Sequence, residues 1–192
     1  MATPAERYSA ARRRTRSSPH LASFRQRYDF GLDNFQVRAC EALDAGRDVL
    51  VAAPTGSGKT VVGEFAVHLA MATGRKAFYT TPIKALSNQK YRDLVQIYGE
   101  SEVGLLTGDV AINGHASTVV MTTEVLRNMV YESSADLVGL GYVVLDEVHY
   151  LADRERGAVW EELIIQLPES VNIAALSATV SNVEEFGAWM AT

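Results

Sequence analysis

The chain has 192 residues, 47% of them hydrophobic and 21% charged, with a net charge of −5, which suits one domain with a sizeable core. No window approaches the roughly 18 uninterrupted apolar residues of a membrane span, and "RRRTRSSP" has no apolar run behind it, so it does not read as a secretory signal. The charge is uneven: residues 1–28 hold seven arginines against Glu6, about +6, which leaves the remainder near −11.

Taken in chain order, residues 1–28 read as a basic, solvated tail, with electrostatic attraction to nucleic acid as the second reading. In "FQVRACEAL", Phe35, Ala39, Cys40 and Leu43 share one helical face. The single cysteine is therefore expected as a small buried residue in a reduced, cytoplasmic setting. From Phe30 onward, apolar runs suited to buried parallel strands alternate with helical stretches. The runs are "DVLVAA" (48–53), "KAFYTT" (76–81), "VGLL" (103–106), "TVVMT" (118–122), "YVVLD" (142–146) and "NIAALSA" (172–178). Val61, Val62, Phe65, Ala66 and Leu69 line one face of a helix, and "KALSNQKYRDLVQIY" (84–98) forms the next. Asn113-Gly114 suggests a tight hairpin before the fourth strand. The pattern predicts an α/β fold, a doubly wound, mostly parallel sheet with helices on both faces and ligands at the carboxyl ends of the strands.

"APTGSGKT" (53–60) stands between the first strand and the helix after it. Backbone N–H groups of Gly56, Ser57 and Gly58 can wrap phosphates, because glycine permits the conformations and the close approach a cradle needs. Lys59 supplies positive charge to the outer phosphates and Thr60 a hydroxyl for Mg²⁺. Ala53 departs from the strict G-x-x-x-x-G-K-[ST] pattern. In "YVVLDEVHYL" (142–151), an aspartate at the end of a buried strand needs a partner, and a metal beside the phosphates provides one. Asp146 is the metal-side carboxylate and Glu147 the group placed to orient or deprotonate an attacking water.

With "DEVH" and Ser177-Ala178-Thr179, these stretches resemble motifs I, II and III of superfamily 2 helicases, in which alanine at the first loop position is usual. "TTPIKALSNQKYRDL", "GLLTGD", "MTTEVLRNM" and "DEVHYLADRERGAVWEE" are similar to the DExH-box helicases of the superkiller and exosome-cofactor type, with a HelY-like bacterial branch. The resemblance covers about residues 30–192 and implies a RecA-like P-loop NTPase domain using ATP and Mg²⁺. It further implies that Phe30 stacks on adenine and Gln36 reads its edge, with Thr55 in the nucleotide loop. His149, Ser177 and Thr179 would couple nucleotide state to domain closure. Thr81, Pro82, Lys84, Thr107, Gly108, Thr122, Thr123 and Arg127 would meet the sugar-phosphate backbone of single-stranded RNA, with DNA the alternative, while Asp109 shapes its loop.

The same resemblance leads us to expect a monomeric first motor domain (29–192), weakly active alone. A second RecA-like domain with its arginine, and further helical domains, would belong to the full-length protein. A P-loop kinase is disfavoured by the Asp-Glu-x-His box and the SAT segment. A non-catalytic, nucleotide-gated nucleic-acid-binding module stays open.

Overall fold

The computed structural model describes residues 18–148 and 163–178. Seven strands form one sheet: β1 (Val49–Ala52), β2 (Lys76–Thr81), β3 (Val103–Leu106), β4 (Ala111–Ile112), β5 (Thr118–Thr122), β6 (Leu140–Leu145) and β7 (Asn172–Ser177). Their order across the sheet is β1-β7-β6-β2-β5-β3-β4. Every neighbouring pair is parallel except β3 and β4. The carboxyl ends of six strands therefore share one edge. The helices are α1 (Pro19–Arg25), α2 (Asn34–Asp44), α3 (Thr60–Thr73), α4 (Lys84–Tyr98) and α5 (Thr123–Tyr131).

Both faces of the sheet are buried, which explains why its strands are continuously apolar in sequence. Ala77, Tyr79, Tyr142, Val144, Ala174 and Leu176 point into one core with α1, α2, α3 and Leu94 of α4. Their alternate neighbours Phe78, Val143, Leu145, Ile173 and Ala175 point into the other, with Leu126 and Val130 of α5 and with Leu163 and Leu167. The doubly wound arrangement expected from the apolar runs is the one observed. Cys40 is fully buried, and that burial pushes its thiol up to about 12.

The structure departs from expectation at two places. Residues 18–28 are not tail: α1 is capped by Ser18, whose side chain accepts from the Leu21 N–H at 3.2 Å, and it carries Pro19 in the first turn. Leu21 and Phe24 then enter the main core, where Phe24 meets Phe65 edge-on at 5.2 Å and Tyr28 at 5.3 Å. The arginine count masked two apolar anchors three residues apart. Residues 1–17 lie outside the described residues.

The second departure is the reversal before the fourth long strand. It occurs at Thr107–Val110, where the Thr107 N–H donates to the Val110 carbonyl at 2.8 Å, and it precedes Asn113-Gly114. Asn113, at φ 43°, instead leads out of β4, and its amide donates to the carbonyls of Glu100 and Ser101. The Asn-Gly pair thus makes a turn of a different kind, feeding a parallel strand.

Phe24→Ala is expected to cost about 3 kcal/mol in urea unfolding, the usual loss for emptying a buried aromatic site. An unchanged midpoint would mean that α1 does not belong to the folded unit.

Candidate nucleotide site and nucleic-acid edge

The site is built at the carboxyl edge, in two halves. The nucleotide half begins where β1 ends. Gly56 and Gly58 have φ 82° and 80°, in the region where a side chain is strained. At Gly58 there is also no room: a Cβ would stand 2.6 Å from the Gln36 amide nitrogen. These conformations turn the loop so that α3 starts at Thr60, directly after Lys59. Lys59 is only 6% exposed, and its ammonium donates to the carbonyls of Ala53 at 2.9 Å and Pro54 at 3.2 Å. The Ser57 hydroxyl is buried without a hydrogen-bond partner among the described residues. Thr55 and Gly56 are exposed.

Gln36 ties the segment 30–36 to this loop. Its amide donates to the Gly58 carbonyl at 2.9 Å and accepts from the Asp33 N–H at 2.7 Å, closing the start of α2. Gln36 is thus buried, at 3% exposure, although it stands in the first turn of α2. Phe30 is 60% exposed with its ring 5.1 Å from that of Tyr28, so it is available for stacking rather than packed in the core.

Asp146 and Glu147 follow β6, on the same edge. Two strand steps separate β6 from β1 in the sheet, roughly 10 Å in the hydrogen-bonding direction. One Asp146 carboxylate oxygen accepts from the Glu147 N–H at 2.9 Å, and the other from the Tyr79 hydroxyl at 2.8 Å. Burial raises the Asp146 carboxyl above the usual range, the Tyr79 hydrogen bond pulls it back, and the neighbouring Glu147 charge adds to the rise. Burial also pushes the Tyr79 phenol well above its ordinary value, with the Asp146 charge contributing, so the hydroxyl stays a donor. Glu147 sits at φ 56°, a strained conformation for a non-glycine residue, which turns the chain off the end of the strand. Ser177, at the end of β7, lies between the loop and the acid pair: its carbonyl accepts from the Ala53 N–H at 3.2 Å, beside the β1–β7 register pair Ala52 and Ser177. His149 and Thr179 lie outside the described residues.

These residues fit a Mg²⁺-bound nucleoside triphosphate. The loop offers N–H groups, a buried cation and an orphaned hydroxyl. No group of three or more His, Cys, Asp or Glu side chains able to hold a metal by themselves occurs among the described residues. That donor set suits a metal held by one carboxylate, one threonine hydroxyl and the phosphates of its ligand.

The other half of the edge is formed by the ends of β2, β5 and β3, which adjoin in that order. Lys84 bonds Asp109 at 2.8 Å, and Asp109 also accepts from the Thr107 hydroxyl at 3.0 Å. Lys84 and the Thr107–Asp109 loop, 23 or more residues apart in sequence, are thus neighbours, and Asp109 shapes its loop as expected. Its carboxyl is held below the ordinary value, first by Lys84 and then by Thr107. The pair is exposed and adds little to stability, leaving Lys84 accessible to a phosphate.

Three of the residues expected to meet a sugar-phosphate backbone do not offer their side chains to solvent. Thr81, Thr122 and Thr123 are buried. The Thr81 hydroxyl shares a hydrogen bond with Ser87 at 2.7 Å and donates to the Ile83 carbonyl, while Thr123 donates to the Thr81 carbonyl at 3.3 Å. The Thr81 and Thr123 hydroxyls hold the loops together because burial obliges them to find protein partners. What faces outward is Lys84, Gly108 and the start of α4, which has no side-chain cap on its first turn, whereas the start of α5 is buried at Thr122 and Thr123. Pro82 and Thr107 are half-buried. Arg127 is half-buried too, its guanidinium 5.7 Å from the Tyr131 ring centroid and its Nε without a partner among the described residues.

Residues 33–186 match the DEAD/DEAH box helicase family. The chain belongs to that family. It is 65% identical over 172 residues to the probable helicase HelY of Mycobacterium tuberculosis, covering 90% of this chain and 19% of that one. It is 46% identical to the exosome RNA helicase MTR4 of Homo sapiens, over 90% of this chain and 16% of the relative. To the antiviral helicase SKI2 of Saccharomyces cerevisiae it is 48% identical, over 85% and 13%. The chain spans less than a fifth of the length of these curated relatives. Among solved structures, the DUF1998 helicase MrfA bound to DNA and AMPPNP shares the fold, with a TM-score of 0.71 and 21% identity over 92% of this chain and 28% of that one.

Three side chains of the site escaped the sequence reading. Tyr79, Glu64 and Lys90 form a buried polar group beneath it: Lys90 bonds Glu64 at 3.1 Å, and Glu64 accepts from Tyr28 at 2.6 Å. A phenol inside a buried strand and a carboxylate on the apolar face of α3 each call for a partner, which was the available signal.

Gln36→Ala removes both a helix cap and the tether on Gly58. It is expected to lower stability in urea by about 1 kcal/mol; no loss would show that the amide bonds contribute nothing to the fold.

Proposed function

We propose that this chain is the ATP-binding motor domain of an ATP-dependent helicase that moves on and unwinds RNA, with DNA as the alternative strand. The observation that carries the reading is the shared edge: a phosphate loop with Lys59 and an acid pair at Asp146 and Glu147 on one side, and Lys84 at the exposed, uncapped start of α4 on the other. The names of MTR4 and SKI2 as helicases support it, and MTR4's as an RNA helicase favours RNA.

In this reading the loop N–H groups and Lys59 bind the phosphates, and Lys59 gives up its carbonyl partners for them. Thr60 and Asp146 hold Mg²⁺, which neutralises charge developing on the phosphoryl oxygens when bound. Glu147 orients the attacking water and takes its proton. Phe30 stacks on adenine, and Gln36 reads its edge after turning from its present partners. Ser177 lies next to Ala53 and links the loop to the segment that would sense domain closure, together with His149 and Thr179. Turnover is completed by an arginine from a second RecA-like domain. Strand affinity comes from backbone N–H groups and Lys84, which contact phosphates without choosing a sequence. A cytoplasmic monomer remains part of the proposal.

Lys59→Ala is expected to weaken Mg-ATP binding about 10- to 100-fold in calorimetry, the worth of a lost charge-assisted contact; unchanged affinity would remove the loop from nucleotide binding. In a protein that carries both RecA-like domains, Glu147→Gln is expected to keep Mg-ATP affinity and to lose roughly 100-fold or more in RNA-stimulated turnover. A variant turning over at the parent rate would assign the water to another residue.

A further inference from the structure

Tyr79 is fully buried, in β2, yet its hydroxyl reaches across the sheet to Asp146 at the end of the adjacent strand, β6, at 2.8 Å. A phenylalanine would fill the same space, so packing does not account for the hydroxyl. The ring has little freedom. On one side it lies under the α3 backbone at Gly63, where an added Cβ would stand 3.0 Å from Tyr79 Cε2. The Lys90 ammonium is 5.3 Å from the ring centroid and is itself fixed by Glu64 of α3. The backbone under Asp146 is held too, its N–H donating to the Thr80 carbonyl at 3.0 Å.

We infer that Tyr79 is a positioning residue for the metal-holding carboxylate, fixing Asp146 in the orientation that receives Mg²⁺-nucleotide. With one carboxylate oxygen taken by the Glu147 N–H and the other by Tyr79, the plane of the carboxylate is set before the ligand arrives, and each oxygen keeps a lone pair for the metal shell. The hydroxyl also joins the two halves of the edge. Tyr79 lies two residues before Thr81 on β2, the strand that leads to Lys84, while Asp146 belongs to the nucleotide half.

The inference rests on the proposed Mg-ATP site, and the test separates the two. Binding of a non-hydrolysable ATP analogue is measured by calorimetry across a Mg²⁺ series for the parent chain, Tyr79→Phe and Asp146→Asn, with the metal-free affinity as reference. Tyr79→Phe is expected to raise the half-saturating Mg²⁺ about tenfold while leaving metal-free affinity unchanged, which also shows that the variant is folded. A merely structural hydroxyl would alter the thermal midpoint and leave the Mg²⁺ dependence alone. If Asp146→Asn shifts the dependence and Tyr79→Phe does not, Tyr79 has no positioning role and the site stands. If neither variant shifts it, the metal assignment of Asp146 falls, and the inference with it.

Discussion

Everything at the carboxyl edge depends on how closely α3 lies on the sheet. At Gly63 its bare backbone faces three strands at once. A Cβ there would stand 2.9 Å from Val144 of β6, 3.0 Å from Tyr79 of β2 and 3.2 Å from Leu176 of β7. A glycine inside a helix costs about 1 kcal/mol relative to alanine, and here the contact with three buried side chains offsets it. Because Lys59 and Thr60 stand at the start of that helix, its seat against β6 and β7 sets the height of the phosphate loop beside Asp146. The loop's geometry is thus a consequence of packing about one turn away.

In the proposed function, the same edge would let an acidic chain hold polyanions. Outside residues 1–28 the charge is near −11, so bulk attraction cannot draw in nucleotide or strand. What the fold provides instead is local: N–H groups of a loop and of the α4 start, plus Lys59 and Lys84 as single cations. Local donors bind phosphate at one place and leave the rest of the surface repulsive. For the strand-moving motor proposed here, which would have to release its strand repeatedly, that distribution is an advantage over a uniformly basic surface.

Much of this was legible in the sequence because it is periodic or contiguous. Strands buried on both faces leave apolar runs, and all six expected strands occur within two residues of their expected bounds. The loop is eight consecutive residues, and its glycines, Lys59 and Thr60 stand where the strand-loop-helix reading put them. What was hidden depends on contacts between distant segments. Leu21 and Phe24 sit among arginines that made their helix read as tail. Asn113-Gly114 has the composition of a hairpin turn, yet β3 had already reversed at Thr107–Val110. Thr81 and Thr123 were expected to meet a nucleic-acid strand, and only the packing of β2 against β5 and α5 shows their hydroxyls turned in. Tyr79 and Asp146 are 67 residues apart, so no local pattern could pair them.

The central claim is that the phosphate loop and Asp146 form one Mg-ATP site on this edge. A crystal structure of the chain with Mg²⁺ and a non-hydrolysable ATP analogue tests it most directly. The account predicts phosphates cradled by residues 55–60, the Lys59 ammonium moved from the Ala53 and Pro54 carbonyls to the phosphates, and Mg²⁺ between Thr60 and Asp146. Nucleotide bound elsewhere, or a metal shell that leaves Asp146 bonded only to Tyr79 and Glu147, would contradict it.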